Sequence, residues 1–327
     1  MKITVIGCGR WGSLITWYLS SRKGHDVTLY GLADAPQMQR FLAERRNDLL
    51  TLPDSVRLST KLTECLTPDC ETVIIAIGSQ GLRGLMEELS AYDLTGKTFV
   101  LCMKGIEATT GKRLTEVVSE YLPKDASVAV WVGPGHVQEF YAGVPNCMVI
   151  DSEDREVKRR LVEEFSGDII RFYYGSDLIG SEIGAASKNV IGIAAGMLDG
   201  AGLSALKGAL MARGTREIAR LIAAMGGNEL SAYGLCHLGD YEATVFSKYS
   251  HNRAFGEAFG EAFVKGEPYK DLAEGYATAR ALVVLSRTYT VDLPICSAVY
   301  RILYEGKDPR SELEMLFSRA LKTEFYV

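Results

Sequence analysis

Histidine is scarce in this 327-residue chain, with 4 in all, and its 7 cysteines include no CxxC pair. The thiols stand at 8, 65, 70, 102, 147, 236 and 296, an odd and scattered set. So few imidazole and paired thiolate ligands leave little from which to build a zinc site, and no metal is expected. No block of basic residues occurs, and 36 Lys+Arg against 41 Asp+Glu give a net charge of −5. That balance argues against a nucleic-acid surface. The most apolar stretch, 183–212, is interrupted by Lys188, Asp199 and Lys207, so no membrane span is expected. No charged-then-apolar leader precedes the first apolar run, and the expected location is the reducing cytoplasm. Low-complexity tracts are absent too, and 47% hydrophobic residues supply a substantial core, most naturally in two domains.

What is present falls into two textures. Up to about residue 174, short β-branched runs alternate with helical patterns. Strands are expected at 2–6, 26–30, 56–58, 72–77, 98–101, 128–132, 147–150 and 169–173. Helices are expected at 11–20, 36–46, 82–89 and 113–121. Near-continuous apolar strands separated by helices predict a mainly parallel sheet covered on both faces. Beyond 175 strand signals fade, and helix-length segments at 182–198, 206–225, 269–289 and 295–304 take over. The expectation is a dinucleotide-binding domain over 1–174, followed by an all-helical domain over 175–327.

Residues 1–12 read MKITVIGCGRWG, an apolar strand running into Gly7-Cys8-Gly9-Arg10-Trp11-Gly12 and then a helix. In this pattern Gly7 permits the tight turn, Gly9 lets a pyrophosphate approach the backbone, and Gly12 allows close helix–strand packing. The helix N-terminus favours the phosphates. Its place between strand and helix makes a nicotinamide dinucleotide site the stronger reading, against a turn that only needs small residues. The second strand ends at Tyr30-Gly31-Leu32-Ala33-Asp34 without the arginine that accommodates a 2′-phosphate, which favours NAD over NADP. Asp34 lies slightly late for a ribose contact and could equally cap the next helix, and Arg10 offers another route to a 2′-phosphate.

Ligands of such sheets bind beyond the carboxyl ends of the strands. Here those ends read Gly78-Ser79-Gln80, Cys102-Met103-Lys104-Gly105 and Gly133-Pro134-Gly135-His136. Lys104 is a candidate for an anionic substrate; the alternative is a solvated loop lysine. Lys188-Asn189 sits among alanines, glycines and aliphatics on the first long helix of the second half. Lysine is rarely buried without a partner or a task, and desolvation would let it exchange a proton near neutral pH. Farther on, Asp240, Ser250, Asn252 and Arg253 gather polar groups suited to phosphate oxygens, although a helix start would also use Ser and Asn.

Taken in order, these segments resemble the bacterial NAD(P)-dependent glycerol-3-phosphate dehydrogenase family nearly end to end. The resemblance rests on GCGRWG, Met103-Lys104-Gly105-Ile106, Gly133-Pro134, Ser187-Lys188-Asn189-Val190, ALMARG at 209–214, Gly239-Asp240, Ser250-His251-Asn252-Arg253, Glu274-Gly275 and AVYRILYEGK at 298–307. It implies an α/β fold, with a Rossmann-type mainly parallel sheet domain followed by an all-helical C-terminal domain. It implies an oxidoreductase interconverting dihydroxyacetone phosphate and sn-glycerol 3-phosphate with NAD or NADP, supplying phospholipid synthesis as a cytoplasmic homodimer. Lys188 would be the proton donor and acceptor, with the Asn189 amide and Lys104 stabilising charge on the C2 oxygen. Lys104, Asp240, Ser250 and Asn252 would hold the triose phosphate, with Arg213, Arg253 and His251 as further cations. Arg10, Trp11, Gly133 and Val137 would line the cofactor, and Leu272 and Glu274 would close over it.

The chain departs from the family pattern in four places. Arg10 replaces a serine, and Gly133-Pro134-Gly135-His136-Val137 stands where Gly-Pro-Ser-Phe-Ala is usual. His251 replaces an arginine, and Ser204-Ala205 an Asp-Asn pair. Two other readings share the two-domain plan. One is a ketopantoate-like reductase or 3-hydroxyacid dehydrogenase, for which the phosphate-binding residues would be superfluous. The other is a non-catalytic NAD-binding sensor, against which Lys188 and Asp240 speak.

Overall fold

The computed structural model describes residues 1–265, 273–321 and 323–324. Its first half is built on β1 (Lys2–Ile6), β2 (Asp26–Tyr30), β3 (Arg57–Ser59), β4 (Thr72–Ile75), β5 (Thr98–Leu101), β6 (Ser127–Val132), β7 (Asn146–Asp151) and β8 (Ile170–Tyr174). These pair in the order β3-β2-β1-β4-β5-β6-β7-β8. All neighbours run parallel except β6 and β7. Every residue of β4 (TVII) and β5 (TFVL) is buried, as expected for central strands with both faces covered. The strand order reverses between β1 and β4, so the turns after β1, β4, β5 and β6 meet around one crevice.

Two apolar cores lie on the two faces of the sheet. One holds Trp131, Phe140 and Phe165. The other, around Phe99 and Met86, extends onto Leu178, Ala185 and Cys236 of the second half. The helix Leu178–Gly200 leaves the sheet after β8 and is buried nearly all round, as a helix apolar on every side must be. Helices Lys207–Ala224, His251–Lys265, Glu274–Thr288 and Pro294–Glu305 surround it. Its crossing with His251–Lys265 is bare. A Cβ on Gly196 would overlap the Arg253 carbonyl, and one on Gly256 would overlap the Ile193 carbonyl.

The two halves are also pinned by a buried ion pair. Glu182 of the long helix accepts from Arg113 Nη1 at 2.7 Å and from Thr115 N and Oγ1 at 2.9 and 2.6 Å. The expected helix 269–289 is observed as Glu274–Thr288; residues 269–272, and with them Leu272, lie outside the described residues. No helix among the described residues is long and apolar enough to cross a membrane.

Candidate active site

The turn after β1 has the shape its glycines require. Gly7 adopts φ +114°, where a Cβ would collide with the Ala76 carbonyl, and a Cβ on Gly12 would collide with the carbonyl of Gly7. At Gly9 a Cβ would meet nothing within 4 Å, so the open side of the turn faces the start of the helix Arg10–Trp17. Trp11 packs its ring 6.0 Å from Phe140, and its buried Nε1 has no hydrogen-bond partner among the described residues. Asp34 is exposed and does not cap the next helix, because the N-cap residue is Ala35.

On the far side of the crevice, three charged side chains meet. Lys104, just beyond β5, donates to the Gly133 carbonyl at 2.5 Å and to Asp240 Oδ2 at 2.7 Å. Gly133 turns its carbonyl there through φ +134°. Lys188 Nζ lies 3.0 Å from the same Asp240 oxygen and donates to Thr244 Oγ1 at 2.7 Å. Thr244 in turn donates to the Asp240 carbonyl at 2.7 Å. Lys188 is 7% exposed and Asp240 0%. An ammonium has three donors, and Thr244 and Asp240 use two, leaving one for a ligand. Burial pulls the Lys188 pKa down to about 8, opposed in part by Asp240. The second oxygen, Asp240 Oδ1, is buried without a partner among the described residues.

The remaining sequence-predicted residues divide. Asn189 does not present its amide freely; it donates to the Lys104 carbonyl at 2.9 Å and holds that loop. Glu274 accepts from Ser79 N at 3.1 Å across the crevice, and burial raises its pKa. Ser250 Oγ accepts from Arg253 N at 3.2 Å, the helix-start role that the sequence left open. Asn252 Oδ1 accepts from Gly275 N at 2.9 Å. His251 Nε2 meets Arg10 Nη1 at 2.5 Å, so the residues at two departures from the family pattern face each other across the crevice. Burial and the Arg10 charge lower the His251 pKa, leaving it a neutral acceptor for the guanidinium. Val137 is buried at the start of the helix Val137–Tyr141.

Two expected cations are engaged elsewhere. Arg253 pairs with Asp199 and Glu257, each at 2.9 Å. Arg213 is exposed and lines an apolar groove with Leu206, Leu210 and Ala298 that none of the crevice lysines reaches. Conversely, Thr244 accepts from Lys188 within the charged cluster, and His136 lies on the turn whose Gly133 carbonyl holds Lys104; neither is among the site residues expected from the sequence. Thr244 gives no one-dimensional signal, since its place depends on the π-helical turn Glu242–Phe246. His136 could have been found as the polar end of the β6 rim.

Comparison with known proteins assigns the chain. A family model described as the NAD-dependent glycerol-3-phosphate dehydrogenase N-terminus matches residues 2–158, and the C-terminus model matches residues 177–314. The chain belongs to the NAD-dependent glycerol-3-phosphate dehydrogenase family. The glycerol-3-phosphate dehydrogenase [NAD(P)+] of Chlorobium limicola is 37% identical over 341 residues, covering 100% of both chains. Among solved structures, the glycerol-3-phosphate dehydrogenase of Coxiella burnetii superposes with a TM-score of 0.88 at 27% identity, covering 97% of this chain and 99% of that one. The 2-dehydropantoate 2-reductase of Methylococcus capsulatus reaches a TM-score of 0.60 at 18% identity, over 98% of this chain and 99% of that one, a likeness of fold alone. The α/β sheet domain with a helical C-terminal half, expected from the sequence, is the architecture of this dehydrogenase family.

Proposed function

We propose that the chain catalyses the reversible reduction of dihydroxyacetone phosphate to sn-glycerol 3-phosphate with a nicotinamide dinucleotide. The observation that carries this reading is the buried Lys188 ammonium, held by Asp240 and Thr244 with one donor left over. The glycine turn fits the cofactor on two counts, the open side at Gly9 and the unpaired buried Trp11 Nε1. When bound, the nicotinamide supplies the hydride to C2 or takes it back. Lys188 supplies the C2 oxygen with its proton in reduction and removes it in oxidation. Lys104, locked by Gly133 and Asp240, contributes positive charge where the oxygen becomes anionic. Asp240 compensates both lysines, and Thr244 fixes the direction of the Lys188 amine.

The substrate's phosphate falls in this reading to Ser250 and Asn252 at the start of their helix, with the Arg10 guanidinium, held by His251, as its cation. A phosphate dianion needs such partners once withdrawn from water. NAD is the preferred cofactor, a proposal supported by the absence of an arginine at the end of β2. The proton transfer needs no metal. The enzyme acts as a cytoplasmic homodimer feeding phospholipid synthesis, and light scattering should return about twice 35.8 kDa. The test of function is cofactor oxidation with NADH and NADPH, each against dihydroxyacetone phosphate, dihydroxyacetone and ketopantoate. A kcat/KM for dihydroxyacetone phosphate far above that for dihydroxyacetone, no turnover of ketopantoate, and the larger kcat/KM with NADH are the expected result. Equal or better turnover of ketopantoate would replace this reading by the other reductase.

A further inference from the structure

The turn after β6 reads Gly133-Pro134-Gly135-His136, so His136 carries its one polar side chain. Gly135, at φ +141°, leaves room for the Phe140 ring where any side chain would collide. Contact between this turn and a ligand's polar groups therefore falls to His136. Its Nε2 is buried and has no hydrogen-bond partner among the described residues. That is unusual for a buried nitrogen and calls for a reason. His237 shows the ordinary case, with one ring nitrogen on the Gly184 carbonyl at 2.8 Å and the other on the Tyr241 hydroxyl at 2.7 Å.

The Gly133 carbonyl at the head of this turn accepts from Lys104, which sets the turn against the charged cluster. The charges acting on His136 are Glu139 on the next helix, Lys188 on the long helix, Asp240, and Lys104 beyond β5. The Tyr249 ring packs edge-on against it at 5.5 Å, which limits how the imidazole can turn. Burial lowers its pKa, so it enters the site neutral and leaves the cationic work to the lysines.

We propose that His136 is a specificity-determining residue whose Nε2 hydrogen-bonds an oxygen on C1 or C2 of the bound triose, beside the Lys188 amine. This rests on the dehydrogenase reading given above. A site that hydrogen-bonds a substrate oxygen loses discrimination when that partner is removed, because the contact has no substitute inside a dry crevice.

The test compares wild type, H136F and H136N in steady-state reduction of dihydroxyacetone phosphate and of dihydroxyacetone, with melting temperatures measured alongside. H136F keeps an aromatic ring without the nitrogen, and H136N keeps a polar group without the ring. The expected result is a fall of about tenfold to a hundredfold in kcat/KM for H136F on both substrates. KM for the dinucleotide stays constant, melting stays within about 3 °C of wild type, and H136N recovers part of the loss. An unchanged kcat/KM in H136F would overturn the inference while leaving the function intact. A loss confined to the phosphorylated substrate would move the contact to the phosphate, and a raised dinucleotide KM would move it to the cofactor; either overturns the assignment. A loss with lowered melting and no recovery in H136N would reduce His136 to packing. If wild type itself fails to reduce dihydroxyacetone phosphate, the functional reading falls, and this inference with it.

Discussion

A lysine taken out of water at 7% exposure would shed its proton if left alone, and one given a strong carboxylate partner would hold it permanently. Lys188 lies between these limits because it shares Asp240 Oδ2 with Lys104. One carboxylate divided between two ammonium groups cannot fully offset the burial, and the pKa settles near 8. The sign of the pH dependence follows. Reduction uses the protonated amine, so its rate should fall as pH rises through about 8. Oxidation uses the neutral amine and should rise through the same value. Lys188→Ala should abolish both limbs and cut turnover by about two to four orders of magnitude, while dinucleotide binding, followed by fluorescence, stays near normal. Near-normal turnover in that variant would remove Lys188 from the chemistry. The sequence already marked this residue, since a charged side chain in an unbroken small and aliphatic segment demands an account. It could not mark Thr244, or the engagement of Arg253 by Asp199, because partners 56 and 54 positions apart leave no local trace.

Among the elements, the central parallel strands were the easiest to read, because burial on both faces writes an uninterrupted apolar run. The helix His251–Lys265 was not anticipated. Its glycines at 256 and 260 weaken the helical pattern, yet Gly256 is what brings its backbone against the long helix. The same conflict yields a prediction for Gly196. Replacing a mid-helix glycine by alanine normally stabilises by about 1 kcal/mol through propensity. At Gly196 the added methyl would overlap the Arg253 carbonyl, and forcing two packed backbones apart costs about 1–3 kcal/mol or more. Strain should win, so Gly196→Ala should unfold at a lower urea concentration than wild type. A higher midpoint would mean that the crossing is looser than described. Glu182 gives a second check on how the halves are joined. Glu182→Ala removes the buried carboxylate that Arg113 and Thr115 share, leaves Arg113 with Glu116 at 3.4 Å, and should cost up to about 3–5 kcal/mol in the same measurement.

For the molecule as a whole, a net charge of −5 opposes a dianionic substrate, and the crevice reverses that sign locally. Lys104 and Lys188 sit at one wall, and Arg10 comes from the sheet half to meet His251 of the helical half. Arg10 is exposed, so salt should screen its contribution more than that of the buried lysines. KM for dihydroxyacetone phosphate should therefore rise several-fold between about 20 and 200 mM salt, with little change in kcat. A KM indifferent to salt would take the phosphate away from the crevice mouth. The two-half organisation was legible from the change of texture near residue 175, whereas contacts between the halves, such as Ser79 with Glu274, were not.

The bare helix crossing has one more effect. With no side chain between the two backbones at Gly196 and Gly256, nothing there can be repacked to lengthen or shorten the span from the Lys188 amine to Ser250. Amine and serine behave as two marks on a rigid gauge. In the proposed pose that gauge measures the distance from the reacting carbon to the phosphorus, so selection for a three-carbon ester would be fixed by how closely two main chains touch.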